Sequence, residues 1–305
     1  MKKLFFSTQL VRVISFTLSF LGALNSYIFA QKQIILREME SGKPVQYANI
    51  YIGDVVFYSD KDGKIELPDT ISSFKISHVC YADTIVRVPT SKHDVVFISP
   101  KTYEIPEIIV GNKTSSKLQQ VGPFCKKEHL YNGGRSGLLI GVFIPYQKNF
   151  DNQYIQGIVA DLYNKKALIH GVYEKIENAT LRFDLRLPNP QTGTPSSKSL
   201  IGGGIVYESN SDGRKSIPLE YPIAFPSSGV FVILEWIVEG QCMNNVMYNP
   251  HVRISKSDQQ SVTWFKREYK QEDWVNWDTD DGMRQLQTSV YAKALNANIG
   301  ILITK

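Results

Sequence analysis

The chain has 305 residues, 43% of them hydrophobic and 11% aromatic, enough for two modest cores or one large one. Its formal charge of +5 owes much to residues 1–30, which hold Lys2, Lys3 and Arg12 and no acid; beyond them 31 basic and 29 acidic residues leave a net charge of +2. That balance, with no concentrated Lys/Arg stripe, argues against a nucleic-acid binder, and the 21 glycines and 14 prolines suit short strands and turns better than long helices.

Behind the basic start lies an apolar run from Val13 to Ala30, whose polar members are Ser15, Thr17, Ser19, Asn25 and Ser26. The pattern predicts a secretory signal cleaved after Ala30. A retained membrane helix is the alternative, because the run is long and Ile28 stands where a small residue is usual. The hydroxyl and amide side chains weaken a spanning segment, so the mature chain is expected to begin at Gln31 without a stable transmembrane span. Because Gln31 rather than Cys follows the cleavage site, a lipid anchor there is not expected. The implied location is periplasmic, outer-membrane-associated or secreted. Cys80, Cys125 and Cys242 form an odd, widely spaced set that is no disulfide framework, and no Cys/His spacing points to zinc.

Residues 31–112 read as short strands separated by turns. Gln33–Glu38 begins as a strand, and Ser41-Gly42-Lys43-Pro44 gives a turn. In Ala48–Ile52, Ala48, Ile50 and Ile52 share one face while Asn49 and Tyr51 take the other. Asp60-Lys61-Asp62-Gly63 invites comparison with a calcium loop, but a third oxygen ligand and a terminal bidentate acid are not in place. A tight turn is the better reading, with Asp bonding the local backbone and Gly at positive φ. Phe74, Ile76, Val79 and Tyr81 continue the alternation, followed by Asp83–Val88, Val95–Ile98 and Glu107–Val110. His78 and His93 have no metal-spaced partner.

As a set these segments resemble a known family. Gly42-Lys-Pro-Val with Ala48-Asn-Ile, Ser59-Asp-Lys-Asp-Gly-Lys-Ile, Lys75-Ile-Ser-His-Val-Cys-Tyr and Ile105-Pro-Glu-Ile-Ile-Val are similar to the carboxypeptidase regulatory-like domain. In that family a Gly stands where this chain has Cys80. The resemblance implies a prealbumin-like β-sandwich and an exported setting, as at the front of exported proteins and TonB-dependent receptors of Bacteroidetes-type bacteria. It implies no peptidase activity, since the family's domain is an accessory module.

Lys113–Gln120 is polar and aperiodic and reads as a linker to a second domain at 121–305. There, Ser136–Pro145 is an apolar run expected as a central strand, or as an edge strand ending at Pro145. In Thr180–Leu187, Leu181, Phe183, Leu185 and Leu187 alternate with Arg182, Asp184 and Arg186, so one face is core and the other wet or ion-paired. Pro188–Ser199 reads as a loop leading toward Gly202-Gly203-Gly204. That triplet lacks the spacing of a phosphate cradle and reads as a bulge or turn. Val230–Val238 is apolar apart from Glu235, for which a partner on an adjacent strand is the expected explanation. Further short strands at His251–Ser255, Ser261–Phe265 and Ile299–Thr304 complete an all-β chain: a small prealbumin-like sandwich followed by a larger, jelly-roll-like antiparallel sandwich.

No His-Glu-x-x-His, no Gly-x-Ser-x-Gly and no cofactor or metal motif occurs, and His129, His170 and His251 are scattered. The most suggestive constellation is Trp264, Trp274 and Trp277 with Tyr269 and the acids Glu272, Asp273, Asp278, Asp280 and Asp281. Aromatic faces stack on sugar rings and carboxylates accept hydroxyl hydrogen bonds, so Trp264, Trp274, Trp277, Asp278 and Asp280 are the candidate glycan ligands. A buried aromatic core beside a turn is the competing reading. Two functions follow: a non-catalytic exported protein that binds an envelope protein or glycan, with the regulatory-like domain as scaffold or docking module, or a glycan-processing hydrolase whose site is assembled from distant residues. N-terminal sequencing of the exported protein should begin at Gln31; an intact Met1 chain in the membrane would overturn the cleavage.

Overall fold

The computed structural model describes residues 31–88, 93–101, 117–124, 130–169, 172–208, 211–241, 246–257, 260–268, 272–285, 287 and 293–304. The expected signal segment, the strand expected at 107–110, and Cys125, Cys242, His129, His170 and Tyr269 lie outside these residues. No helix among the described residues is long and apolar enough to cross a membrane.

The first strands are β1 (Gln31–Glu38), β2 (Asn49–Ile52), β3 (Val55–Tyr58), β4 (Lys64–Pro68), β5 (Ser73–His78), β6 (Tyr81–Arg87) and β7 (His93–Ile98). They form two facing sheets, β4-β1-β7 and β3-β2-β5-β6. Period-two alternation turns Ile34, Leu36, Ile50, Ile65, Leu67, Phe74, Ile76 and Ile98 inward to one core. β1 runs antiparallel to β4 and parallel to β7. Between β3 and β4, the Asp60 carboxylate accepts the backbone N–H of Asp62 at 2.8 Å and of Lys64 at 2.7 Å. Gly63 follows at φ +74°, where a Cβ would lie 2.5 Å from the Leu36 carbonyl. Asp60 is therefore a turn residue.

The larger sandwich begins with β8 (Leu118–Val121), β9 (Leu130–Gly134), β10 (Leu138–Ile144), β11 (Tyr154–Tyr163), β12 (Lys166–Ile169) and β13 (Val172–Lys175). Next come β14 (Thr180–Pro188), β15 (Pro195–Ser199), β16 (Ile205–Tyr207), β17 (Gly213–Ala224), β18 (Val230–Ile237) and β19 (Gly240–Gln241). The last are β20 (Tyr248–Ser257), β21 (Thr263–Arg267), β22 (Val275–Asn276), a short helix α1 (Asp281–Gln285), β23 (Ala294–Ala297) and β24 (Ile299–Thr304). One main sheet runs β15-β14-β18-β10-β21-β22, with β16 also on β14; the other runs β23-β20-β11-β24-β8, with β17 on β11 and β9 on β20. All of these strand pairings are antiparallel. Leu181, Phe183, Leu185, Ile140, Val142, Val232, Leu234 and Trp236 from the first sheet meet Ile158, Leu162, Val252, Ile299, Ile301 and Ile303 from the second.

Two boundaries differ from the sequence-based expectation, and one open alternative is resolved. Residues 118–120, assigned to a linker, belong to β8, which pairs with β24; a polar edge strand needs little apolar patterning because it has one neighbour. Residues 195–199, assigned to a loop, form the edge strand β15, whose first residue, Pro195, needs no ladder N–H. The alternatives for 136–145 resolve to an interior strand, since β10 lies between β18 and β21.

The two sandwiches are joined by backbone, side chains and a small apolar cluster. β19 extends the sheet of the small sandwich by pairing with β3, and Tyr47, Val56 and Tyr58 pack against Ile237. Beside this cluster, Arg182 donates to Glu235 Oε2 from Nε at 2.9 Å and from Nη2 at 2.7 Å. The Tyr58 hydroxyl donates to Glu235 Oε1 at 2.6 Å, and Arg182 Nη1 donates to the Tyr47 carbonyl at 3.3 Å. Gly203, at φ +125°, lets the chain come so close that a Cβ would lie 2.0 Å from the Cys80 sulfur. The Cys80 thiol is free and donates to the Gly202 carbonyl at 3.1 Å. The glycine triplet is thus a turn built for contact between domains. Arg182→Met should cost about 3–5 kcal/mol in urea unfolding, because it strands Glu235 without its cation. Adding Glu235→Leu should recover much of that loss; a double variant no more stable than the single one would show that the pair is not the source.

Candidate functional site

The site follows from the pleat of one sheet. On β14 the residues between the core positions are Arg182, Asp184 and Arg186, and their side chains face away from the core of the larger sandwich. Register sets Arg182, Glu235, Leu139 and Lys266 side by side across β14, β18, β10 and β21. The next row holds Asp184, Ile233, Gly141 and Trp264, and the one after it Arg186, Phe231 and Phe143. One outer face thus carries charge on β14 and along its Arg182 row, and an apolar patch over β18, β10 and β21.

The small sandwich covers the charged row incompletely and leaves a cleft of about 280 Å³. From its side the walls include Asn49, Tyr51, Lys75, Ser77, Asp83 and Lys101; from the larger sandwich come Leu139, Arg182, Arg186, Glu235, Lys266 and Glu268. Asn49 and Tyr51 occupy the face of β2 opposite Ile50, as the alternation in Ala48–Ile52 predicts. Tyr51 donates its hydroxyl to Glu268 Oε2 at 2.8 Å, and Lys266 pairs with Glu268 Oε1 at 2.8 Å. Burial, then the Glu268 charge, raises the Tyr51 pKa, so this hydroxyl stays a donor. Asp83 pairs with Lys75 at 3.0 Å and Lys101 at 3.6 Å, and accepts Ser77 Oγ at 2.9 Å. Burial raises the Asp83 pKa, but these donors outweigh it and hold the pKa below the usual value.

His78 and Arg182 form the partition between this cleft and a second cavity of about 320 Å³, which Tyr47, Cys80, Tyr81 and Gly203 also line. The His78 Nδ1 accepts the Cys80 N–H at 3.1 Å, and its Nε2 lies 3.3 Å from Arg182 Nη1. In that second cavity the Glu38 carboxylate is engaged by the Tyr81 hydroxyl at 2.8 Å, and burial raises the Cys80 pKa away from thiolate formation.

The candidate glycan ligands divide among different environments. Trp264 and Trp274 pack with Leu139, Phe231 and Ile233 in the apolar patch, Trp264 meeting Phe231 edge-on at 6.5 Å. Gly141 makes room there: a Cβ would lie 3.3 Å from the Trp274 ring. Trp277 instead turns into the main core and is 1% exposed. Asp278 Oδ2 accepts the Ser261 N–H at 2.8 Å, and Asp280 Oδ1 accepts the Met283 N–H at 2.9 Å as a cap for α1. Glu272 pairs with Arg267 at 2.9 Å. Trp277, Asp278 and Asp280 therefore have structural tasks, while Trp264 and Trp274 share one surface with the cleft, linked to it through Leu139. Among the described residues, no group of three or more His, Cys, Asp or Glu is placed to hold a metal ion.

Sequence reasoning missed Lys75, Asp83, Lys101, Arg186 and Lys266 as members of one site. The available signals were the Arg-x-Asp-x-Arg alternation on β14 and the lone Glu235, whose partner is indeed on the adjacent strand.

Two histidines tie stability to pH. His251 is fully buried and edge-on to Tyr131 at 5.3 Å; burial and the Lys165 charge lower its pKa to about 4. Burial, with Arg182 and Lys101, lowers that of His78 to about 3. Unfolded, both titrate near 6.5. Stability is therefore whole above that pH and falls below it, because the unfolded chain takes up the protons, by about 2 kcal/mol per histidine at about pH 5. Urea titrations at neutral and mildly acid pH should show a smaller acid loss in His251→Gln; an unchanged loss would assign it to other groups.

We found no family model and no curated protein that matches the chain. Among solved structures, a DUF3823 family protein from Parabacteroides merdae is similar over 73% of this chain and 98% of that one, at 8% identity and a TM-score of 0.19. Another from Bacteroides ovatus is similar over 72% of this chain and 98% of that one, at 10% identity and a TM-score of 0.19. Likeness at this level carries no functional argument.

Proposed function

We propose that the chain is an exported, non-catalytic binding protein of the bacterial envelope, that its small sandwich is an accessory module of the carboxypeptidase regulatory-like type, and that the two sandwiches hold a small polar ligand between them. The observation that carries this reading is the cleft itself. Its volume is near the lower end of the ~300–1,000 Å³ usual for small-molecule sites. Its walls come from both domains, whose junction is fixed by the Arg182–Glu235–Tyr58 contacts. A saccharide fits the surroundings: polar side chains converge in the cleft, and Leu139 connects it to the surface of Trp264 and Trp274.

Binding is favoured over hydrolysis by the state of the acids. Glu235, Glu268 and Asp83 each accept from at least two protein donors. A general acid or nucleophile must be able to approach the substrate, and these carboxylates are already committed.

The test is thermal and chemical unfolding of the mature protein against neutral and acidic sugars and short glycans, beside a Ser197→Trp variant. Ser197 is exposed on β15 and lines the cleft, so the indole fills the space with little effect on the fold. A ligand at ~100 times its Kd should stabilise the parent by about 2.7 kcal/mol and leave the variant unmoved. Equal stabilisation of both proteins, or of neither, would sink the cleft as the binding site.

A further inference from the structure

Resting on the reading of the cleft as a ligand site, we propose that its occupant is an anion: a sugar-sized, hydroxyl-bearing molecule held through a carboxylate or a phosphate or sulfate ester. The argument is a balance of hydrogen bonds. On the acceptor side, the cleft's carboxylates are engaged from within the protein. Glu235 takes Arg182 and Tyr58, Glu268 takes Lys266 and Tyr51, and Asp83 takes Lys75, Lys101 and Ser77.

The donors are not used up in the same way. Arg186 donates from Nε to Asp184 Oδ2 at 2.7 Å, and neither of its Nη atoms has a partner among the described residues, although the side chain is 15% exposed. Asp184 cannot turn to take more, because its Oδ1 already accepts the Leu185 N–H at 2.8 Å and Ser199 Oγ at 2.5 Å. Lys75 and Lys101 share one carboxylate, Asp83. Lys266 pairs with Glu268 through one of the three donors an ammonium carries. The cleft therefore presents a fork of free guanidinium N–H groups and two lysines that share one counter-charge. Such a fork matches the paired oxygens of a carboxylate, phosphate or sulfate.

One group asks for a different partner. Asn49 Oδ1 is buried and has no donor among the described residues. A buried amide oxygen calls for an N–H or O–H, which an anion's own oxygens cannot supply and a hydroxyl can. Anion and hydroxyl on one small body describe an acidic or esterified sugar, and the cleft volume limits it to about one ring.

Calorimetric titration of the mature protein with glucuronate, glucose 6-phosphate and glucose tests this. The two anions should bind about 10–100-fold more tightly than glucose, the span of one charge-assisted hydrogen bond, and their advantage should shrink in high salt. Preference for one anion over the other tells carboxylate from ester. Arg186→Gln should abolish the advantage. Because it could also unsettle Asp184, Lys75→Ala with Lys101→Ala provides a second reading from side chains that are 50% and 31% exposed. If glucose binds as tightly as the anions and Ser197→Trp removes all binding, the anion proposal fails and the cleft reading stands. If none of the three binds, or if Ser197→Trp changes nothing, both fail.

Discussion

The Arg182–Glu235 pair is the interaction on which the rest of this structure depends. It lies on neighbouring strands of the larger sandwich, but its environment is completed by the smaller one, through the Tyr58 hydroxyl and the Tyr47 carbonyl. A buried ion pair is tolerable when its remaining donors and acceptors are satisfied and is a liability otherwise. Each sandwich therefore supplies what the other's polar groups need. The β19–β3 pairing and the Tyr47, Val56, Tyr58 and Ile237 cluster add backbone and apolar contacts at the same place.

These contacts hold the two sandwiches together beside the cleft that both of them line. The same sheet face also explains why polar and aromatic surfaces adjoin. Side chains two residues apart on a strand share a face, so β18 carries Glu235 in the cleft row and Ile233 and Phe231 in the aromatic patch. Gly141 lets Trp274 pack closely over that patch, since a Cβ there would lie 3.3 Å from its ring. The small sandwich covers the Arg182 row and leaves Trp264 and Trp274 beside it, and Leu139 touches both regions.

Reading residues in order reveals which side chains share a face but not which faces meet. The alternation in Ala48–Ile52 and Thr180–Leu187 determined the strands, their buried sides and the all-β class, because a two-residue period is a local property of an extended chain. The turn at Asp60–Gly63 was legible for the same reason: its hydrogen bonds span four residues. Edge strands such as β8 and β15 were harder, since a strand with one neighbour can be polar or begin with proline. Tertiary structure alone decided that the charged side of β14 is largely buried, that Trp277 leaves the company of Trp264 and Trp274, and that Lys75 and Arg186 line one cleft. Tyr58 and Glu235 are more than a hundred residues apart in sequence, and no local pattern records that the hydroxyl of one will donate to the carboxylate of the other. The sequence by itself set the strands and their two-sided character. Where the outer faces meet was settled by long-range burial of the charges that those faces carry.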